Sequence, residues 1–206
     1  MEANAVVHLI DDDEAVRHAL AFLLMTSGFA VRAYESAEAF LKASGGAAAG
    51  CVVSDVRMPG MDGLALQRHL AGAGIGLPVI IMTGHADVPL AVEAMKAGAV
   101  DFIEKPFDDE ILLAAVRLAL DNENQARSRS KEMADISARL ESLSTRERQV
   151  LDGLVAGHAN KTIAYDLQLS PRTVEVHRAN VMVKMGAGSL SDLVRMTLMA
   201  GGNSPG

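Results

Sequence analysis

The chain has few of the features that mark an extracellular or membrane protein. Cys51 is the only cysteine among 206 residues, which excludes an internal disulfide and a cysteine-based zinc site. Its position inside an apolar run predicts a buried structural thiol. No unbroken apolar stretch approaches the roughly 20 residues that a membrane-spanning helix needs. Residues 1–4 lack the basic segment of a secretory signal, so we expect a cytoplasmic protein without membrane contact.

Acidic and basic side chains are unevenly divided along the chain. Residues 1–124 carry 8 Lys and Arg against 18 Asp and Glu, a net charge of −10, whereas residues 125–206 carry 11 against 8, a net charge of +3. This asymmetry favours two domains with different partners, of which the basic one is the candidate for binding nucleic acid. Many helical domains have a similar net charge, so the charge alone does not identify a nucleic-acid-binding domain. That assignment depends on sequence motifs.

One stretch in the acidic half combines a short apolar run with a polar loop. Residues 51–53 are apolar, the run ends at Asp55, and Pro59 and Gly63 shape the loop that follows. Runs of this length are typical of buried strands in a parallel sheet. Ligands of open α/β sheets bind beyond the carboxyl ends of the strands, where Asp55 would lie. Taken alone, Asp55 has a simpler interpretation as a cap of the next turn.

Strands and helices are predicted to alternate through the acidic half. Short apolar runs rich in β-branched residues predict five strands, at 6–10, 31–34, 51–55, 79–83 and 101–104. A helix follows each strand, and the last helix opens at Asp108 and runs to about Leu120. This alternation predicts a doubly wound α/β fold with a five-stranded parallel sheet.

The ends of the predicted strands carry a distinctive set of side chains. They are Asp11, Asp12, Asp55, Thr83 and Lys105. Converging carboxylates repel one another unless a cation lies among them, and hard oxygen ligands suit Mg²⁺. A lysine and a hydroxyl supply the charge and the hydrogen-bond donor that a transferred phosphoryl group needs. Each residue also has its own simpler alternative: a solvated helix start for the acidic pair, a strand-end hydroxyl and a surface ion pair.

Together these strand ends resemble the receiver domain of two-component response regulators. The resemblance covers residues from about 6 to 120 and includes the aromatic residue Phe102. It implies that Asp55 accepts a phosphoryl group from a sensor histidine kinase. It further implies that Thr83 and Lys105 contact this group, while the rotamer of Phe102 follows phosphorylation.

The resemblance also implies a magnesium site. Its ligands would be the carboxylates of Asp12 and Asp55 and the backbone carbonyl of Arg57, with Asp11 contributing through water. The enzymatic alternative is an Mg²⁺-dependent phosphatase with Asp55 as its nucleophile. Such enzymes usually carry a second acid close after the nucleophile and a substrate cap. Here Val56 and Arg57 follow Asp55 and no cap insertion is visible, so we expect a protein that is not an enzyme.

A helical linker is predicted between two domains. We assign residues 1–122 to the receiver domain, 123–141 to the linker and 142–206 to a second domain. The linker contains no Gly or Pro, which favours a helix over a flexible tether. Ile136 and Leu140 lie at helical spacing, but this apolar pattern is too short to indicate a coiled coil strongly.

The second domain is predicted to be an all-α domain of four helices. Ser144 at the N-cap and Glu147 at N3 form a capping box, and Pro171 occupies the first position of the third helix. The helices are expected at about 145–156, 161–167 with Asn160 as its cap, 171–185 and 190–199. The second and third helices, joined by a three-residue turn, predict a helix-turn-helix.

The helix at about 171–185 is the predicted recognition helix. Its inward stripe is Val174, His177, Val181 and Met185. Its outward face is Arg172, Glu175, Val176, Ala179 and Val183. Such mixed side chains suit entry into the major groove, where Glu175 can accept a hydrogen bond from a cytosine amino group. The side chains predicted to hold phosphates are Lys161, Arg172, Thr173, Arg178 and Lys184.

Three stretches of the second half resemble the LuxR-type DNA-binding domain of the NarL/FixJ class. They span 143–151, 160–164 and 170–177, and the segments 95–107 and 172–182 are closer to one member of this class. The resemblance implies a transcriptional activator that acts on promoter DNA and RNA polymerase. It also implies a phosphorylation-dependent homodimer that forms through the fourth helix and fifth strand. A phosphorelay or scaffold protein with a protein-binding helical module is the alternative.

Overall fold

The computed structural model describes residues 5–44, 49–84 and 88–201. The chain divides into two compact units, an N-terminal unit of Met1–Ala126 and a C-terminal unit of Arg127–Gly206. The division falls inside the predicted linker. Across the described ranges, no helix combines the length and the apolar character needed to cross a membrane.

The N-terminal unit is a parallel sheet covered by helices on both faces. The strands are β1 (Val6–Ile10), β2 (Ala30–Tyr34), β3 (Gly50–Asp55), β4 (Val79–Thr83) and β5 (Asp101–Glu104). The helices are α1 (Glu14–Thr26), α2 (Ala37–Ser44), α3 (Gly63–Gly72), α4 (Val88–Lys96) and α5 (Asp109–Glu141). All strand pairs are parallel, in the order β2-β1-β3-β4-β5. The predicted doubly wound five-stranded fold is confirmed.

The strand order changes direction between β1 and β3, which lie side by side. In their register Ile10 is opposite Ser54. At such a point the connections leave the sheet on opposite sides, which opens a crevice beyond the carboxyl ends of the strands. Asp11 follows β1 and Asp55 ends β3, so the topology alone brings these two carboxylates to the crevice.

The centre of the sheet is buried on both faces. Every residue of β3 is buried. Val53 belongs to the core that lies against α1 and α5, and Val52 belongs to the opposite core, with α2, α3 and α4. Cys51 is fully buried, and burial together with the charge of Glu123 raises the pKa of its thiol to about 12. The predicted buried structural thiol is therefore confirmed.

Helix α5 is longer than its sequence pattern indicated. We predicted that it ends near Leu120 and that a separate helical linker follows, but one continuous helix runs from Asp109 to Glu141. The physical reason is that no Gly or Pro lies between Leu120 and Glu141. The end of this helix belongs to the C-terminal unit, where Ile136 is 2% exposed and Leu140 packs against the same core.

The C-terminal unit completes its core with four further helices. They are α6 (Thr145–Val155), α7 (Asn160–Asp166), α8 (Pro171–Met185) and α9 (Leu190–Gly201). The predicted capping box of Ser144 and Glu147 is present, and Pro171 starts α8 after the N-cap Ser170. The predicted N-cap Asn160 is wrong: Ala159 is the N-cap and makes no side-chain capping bond. Asn160 lies inside the helix, with its side-chain oxygen 3.4 Å from a guanidinium nitrogen of Arg178.

Candidate functional site

A lysine joins two buried carboxylates at the carboxyl edge of the sheet. Nζ of Lys105 lies 2.7 Å from Oδ2 of Asp11 and 2.6 Å from Oδ1 of Asp55. Asp11 is 2% exposed and Asp55 is 8% exposed. Burial on its own lowers the pKa of Lys105, but the hydrogen bonds and negative charges of Asp11 and Asp55 outweigh burial and raise this pKa. Lys105 therefore remains a cation that faces both carboxylates.

Backbone amides hold the remaining oxygens of the two carboxylates. The Arg57 N–H donates to Oδ2 of Asp55 over 2.7 Å, and the Asp13 N–H donates to Oδ1 of Asp11 over 3.0 Å. Oδ1 of Asp13 accepts hydrogen bonds in turn from the first amides of α1. Each carboxylate is thus fixed from two directions, so Asp55 is presented in one defined orientation.

Two residues that sequence reasoning missed shape the loop after β1. Nη1 of Arg17 donates to the backbone carbonyls of Asp11 and Asp12, over 2.7 and 3.0 Å, and Asp13 is the N-cap of α1. The capping role of Asp13 could have been found from an Asp placed just before an amphipathic helix. The bonds of Arg17 had no signal in the sequence, because they depend on how the loop folds back over the helix.

Thr83 and Phe102 lie on the neighbouring strands β4 and β5. Thr83 is 1% exposed at the end of β4, and its carbonyl accepts a hydrogen bond of 2.7 Å from the Lys105 N–H. This bond ties the residue that follows β5 to the end of β4. Phe102 is half-buried, lies opposite Ile81 and packs against the core that contains Val52.

The donor set at this edge fits a small divalent cation. Asp11 and Asp55 contact Lys105, and Asp12 follows Asp11 in the chain, so this edge carries three carboxylates against the single positive charge of Lys105. All of these donors are hard oxygens, as Mg²⁺ requires. Within the described part of the chain, however, no three His, Cys, Asp or Glu side chains already converge in a formed metal site. Asp12 in particular is exposed.

The outward face of α8 is exposed among the described residues of the C-terminal unit. Arg172, Glu175, Val176, Ala179 and Val183 are all exposed, as we predicted from helical spacing. Val176 is 55% exposed and Val183 is 80% exposed. On the opposite side, Val174, Val181 and Met185 are fully buried, whereas His177 is only half-buried. The helix therefore presents a mixed polar and apolar surface that residues 127–201 of this unit leave uncovered.

The predicted phosphate-binding residues do not form a single group. Lys161, Glu175 and Arg178 line one cleft of about 480 Å³ beside the start of α8. Thr173 is tied to the cap of α8, with its hydroxyl 2.8 Å from that of Ser170. Lys184 is separate from them: its Nζ lies 2.7 Å from Oε2 of Glu147, at the other end of α8.

Comparison with protein families assigns both units. Residues 7–117 match the family model of the response regulator receiver domain, and residues 141–197 match that of the bacterial regulatory proteins of the luxR family. The chain belongs to the response regulators, with a receiver domain followed by a LuxR-type DNA-binding domain.

Within this class the chain is similar to FixJ over almost its whole length. It is 57% identical over 201 residues to the transcriptional regulatory protein FixJ of Azorhizobium caulinodans, covering 98% of this chain and 95% of that protein. It is 56% identical over 199 residues to FixJ of Rhizobium meliloti, covering 97% of each. FixJ is also the member that residues 95–107 and 172–182 resemble.

Solved structures agree with this assignment. The response regulator StyR matches with a TM-score of 0.87 at 39% identity, covering 95% of this chain and 98% of that one. Full-length FixJ from B. japonicum matches with a TM-score of 0.60 at 52% identity, covering 98% and 100%. The FixJ relatives are named as transcriptional regulators, which is consistent with a protein that is not a phosphatase.

Proposed function

We propose that this chain is a transcriptional activator that is switched on by phosphorylation of Asp55. The observation that carries the proposal is the geometry of Asp55 itself. A buried carboxylate at the carboxyl edge of the sheet is held by Lys105 on one oxygen and by the Arg57 amide on the other. A structural cap would need neither a lysine at 2.6 Å nor a second buried acid beside it.

The phosphoryl group comes from a phosphohistidine of a sensor kinase. A carboxylate oxygen of Asp55 attacks the phosphorus, the bond between phosphorus and the histidine nitrogen breaks, and the released imidazole takes up a proton. Lys105 is already within hydrogen-bond distance of Asp55. Its ammonium group can therefore contact the phosphoryl oxygens, which carry the negative charge after the transfer. Thr83, at the end of the neighbouring strand, donates its hydroxyl to the same group.

Mg²⁺ would be held by the carboxylates of Asp12 and Asp55 and the carbonyl of Arg57, with Asp11 acting through water. When bound, the cation neutralises charge between the acceptor and the incoming phosphoryl group. The phosphoryl group adds roughly −1.5 to −2 charges at neutral pH. This added charge attracts the Lys105 side chain and shifts its position. Because Lys105 directly follows β5, which contains Phe102, the shift also changes the position of Phe102.

Phosphorylation then favours a homodimer through the face formed by α4 and β5. Val88, Val92 and Met95 of α4 are 77%, 44% and 49% exposed, although large apolar side chains are usually covered. Inward rotation of Phe102 would reshape this face next to α4. Two copies in a dimer place two recognition helices on half-sites one or more helical turns apart.

The outward face of α8 reads promoter DNA in the major groove. Glu175, Val176 and Ala179 face the bases, and the contacts to phosphates come from Lys161, Arg172, Thr173 and Arg178. By resemblance to FixJ, the kinase is FixL-like, the target genes serve nitrogen fixation under low oxygen, and RNA polymerase is recruited in the cytoplasm. These finer assignments rest on the resemblance alone.

The test compares wild type, Asp55→Asn and the matched control Asp121→Asn, which changes an exposed acid of α5. Each protein is treated with acetyl phosphate and Mg²⁺, and its covalent mass, its mass in solution and its affinity for DNA are measured. We expect phosphorylation, dimerisation and tighter DNA binding in wild type and Asp121→Asn only. An equal response of Asp55→Asn, or salt-independent DNA binding in every sample, would overturn the proposal.

A further inference from the structure

The last turn of the recognition helix α8 is held by a residue of α5. Nη1 of Arg139 donates to the carbonyl oxygen of Met185 over 2.8 Å. Met185 is the last residue of α8 and is fully buried. The next residue, Gly186, ends the helix in the left-handed conformation with φ +65°, and an added Cβ there would lie 2.9 Å from the same Arg139 nitrogen.

A second attachment comes from the start of α6. Nζ of Lys184 lies 2.7 Å from Oε2 of Glu147 and 3.3 Å from the carbonyl oxygen of Ser142. Glu147 is 4% exposed and also accepts a hydrogen bond of 2.8 Å from the Ser144 N–H in the capping box. The hydrogen bond from Lys184, followed by that from the Ser144 amide, lowers the pKa of Glu147 to about 2. Glu147 is therefore an anion at any working pH.

Both attachments converge on the last two residues of α8, where the helix has carbonyl groups without intrahelical partners. Positive side chains are favourable at this end of a helix. The partners of α8 in both attachments lie in one continuous segment, residues 139–147: Arg139 donates to Met185, whereas Glu147 accepts from Lys184. That segment therefore holds the C-terminal end of α8. Arg172 lies 13 residues before Met185, or about 20 Å along the axis. A tilt of the helix by a few degrees about its C-terminal end therefore moves its N-terminal end by about 1 Å.

We propose that Arg139 and Lys184 are positioning residues, which set the orientation of the recognition helix and do not bind DNA phosphates themselves. For Lys184 this replaces the role that we predicted from its sequence position. The proposal rests on the DNA-binding function proposed above. Lys184 is 39% exposed, but its charge is already matched by the buried carboxylate of Glu147, and leaving that carboxylate unpaired would be costly.

The experiment uses the full chain, phosphorylated with acetyl phosphate, and two duplexes. One duplex is selected from a random pool by the wild-type chain, and the other is a scrambled version of it. Affinities for both are measured across a range of salt concentrations for Lys184→Met, for Arg139→Gln and for Lys161→Met. Lys161 is exposed and lines the cleft beside the start of α8, so it is the matched control for a phosphate contact.

For Lys184→Met and Arg139→Gln we expect a loss of about tenfold in affinity for the selected duplex, as for one weakened base contact, with little loss for the scrambled one. The slope of log K against log salt should stay unchanged in both. Lys161→Met should weaken both duplexes alike and reduce the slope by about 0.9. A slope reduced in the same way by Lys184→Met, with an unchanged ratio between duplexes, would show a phosphate contact and overturn the proposal for Lys184.

Three further variants separate positioning from a loss of folding. Glu147→Gln should reproduce the effect of Lys184→Met, and the double variant should lose no more than either alone, because the two residues act as a pair. Lys184→Arg should restore the ratio between duplexes. Additive effects would contradict the pairing. If the wild-type chain selects no duplex at all, the proposed DNA-binding function itself is wrong. That result differs from a changed ratio between the affinities for the selected and the scrambled duplex, which tests only the roles of Arg139 and Lys184.

Discussion

Gly63 lies directly against the main chain of Asp55. An added Cβ at Gly63 would overlap the carbonyl oxygen of Asp55 and come 3.1 Å from the hydroxyl of Ser54. The Gly63 N–H also donates to the carbonyl of Val56 over 3.0 Å. The main chain of Asp55 cannot move away from Gly63, because β3 is hydrogen-bonded between β1 and β4 in the sheet. The start of α3 therefore has room only for a residue without a side chain.

We predict that Gly63→Ala displaces Asp55. The substitution should lower the free energy of unfolding by about 1–3 kcal/mol, as overpacking does, and should slow the phosphorylation of Asp55 by acetyl phosphate. Urea unfolding and the time course of the mass increase measure the two effects. Gly72→Ala is the control, because it lies in the same helix and an added Cβ would contact nothing within 4 Å. Equal behaviour of the two variants would contradict the role of Gly63.

A charge on the exposed face of α4 should prevent dimerisation without affecting phosphorylation. Val92→Asp and Met95→Asp place a carboxylate on the proposed interface, and burying it without a partner is costly. We expect the dissociation constant of the phosphorylated dimer to rise by at least about tenfold, measured by sedimentation. The control is Phe22→Asp on α1, where the wild-type side chain is 68% exposed. Loss of dimer in the control alone would place the interface elsewhere.

Arg172 and Glu175 should affect DNA binding in different ways. Arg172→Ala removes a positive charge from the exposed face of α8, so it should weaken binding to every duplex and reduce the salt slope by about 0.9. Glu175→Gln should relax the preference at one base pair, by roughly 1–3 kcal/mol. Binding to a set of single-base variants of the selected duplex measures both. A uniform effect of Glu175→Gln would indicate that this residue reads no base.

The buried His8 should make the N-terminal unit less stable in mild acid. His8 is 3% exposed, and its Nδ1 lies 3.2 Å from the hydroxyl of Tyr34. Burial lowers the pKa of His8 below its ordinary 6.5, and the charge of Arg32 adds to this, although a backbone hydrogen bond to Ala49 opposes it. The unfolded chain therefore takes up the proton first. Stability should be highest above pH 6.5 and fall as the pH drops through this value.

The slope is expected to stay below about 1.4 kcal/mol per pH unit, the limit for one proton. Urea unfolding of wild type and His8→Phe between pH 5 and pH 8 isolates the contribution of His8. The aromatic replacement keeps the contact with Phe40, whose ring centroid lies 5.2 Å from that of His8. His18→Gln, at an exposed position of α1, is the control and should retain the wild-type slope. Identical slopes in wild type and His8→Phe would rule out His8 as the source.

Local patterns were sufficient to predict the sheet and its carboxyl edge. Each strand is a short apolar run whose polar end residue marks its limit, and in a parallel sheet these ends meet at one edge. Hence the sequence pattern predicts that Asp11, Asp55 and Lys105 lie together, as they do in the structure. The capping box of Ser144 and Glu147 was predictable for the same reason, since its partners are three residues apart.

Contacts between distant segments were not predictable in this way. We predicted Lys184 as a phosphate ligand because it is a cation on the recognition helix. No sequence pattern indicated its ion pair with Glu147, which lies 37 residues earlier in the chain. Arg139 lies in the segment that we predicted as a helical linker, and its hydrogen bond to the end of α8 had no signal in the sequence. Asn160 has the side chain of an N-cap, but helix α7 begins one residue earlier than that pattern suggested. The contacts of Lys184 and Arg139 depend on tertiary packing, which a local sequence pattern does not show.

Ile136 has a practical consequence for anyone who wishes to isolate the DNA-binding half. The luxR-family segment begins at residue 141, yet Ile136 is 2% exposed in a core that also contains Leu151 and Val181. An expression fragment that starts at residue 141 would lack both Ile136 and Arg139, and the missing Ile136 side chain would leave a cavity in the hydrophobic core. An autonomous fragment must start upstream of Ile136, because the segment that identifies the family is shorter than the segment that folds.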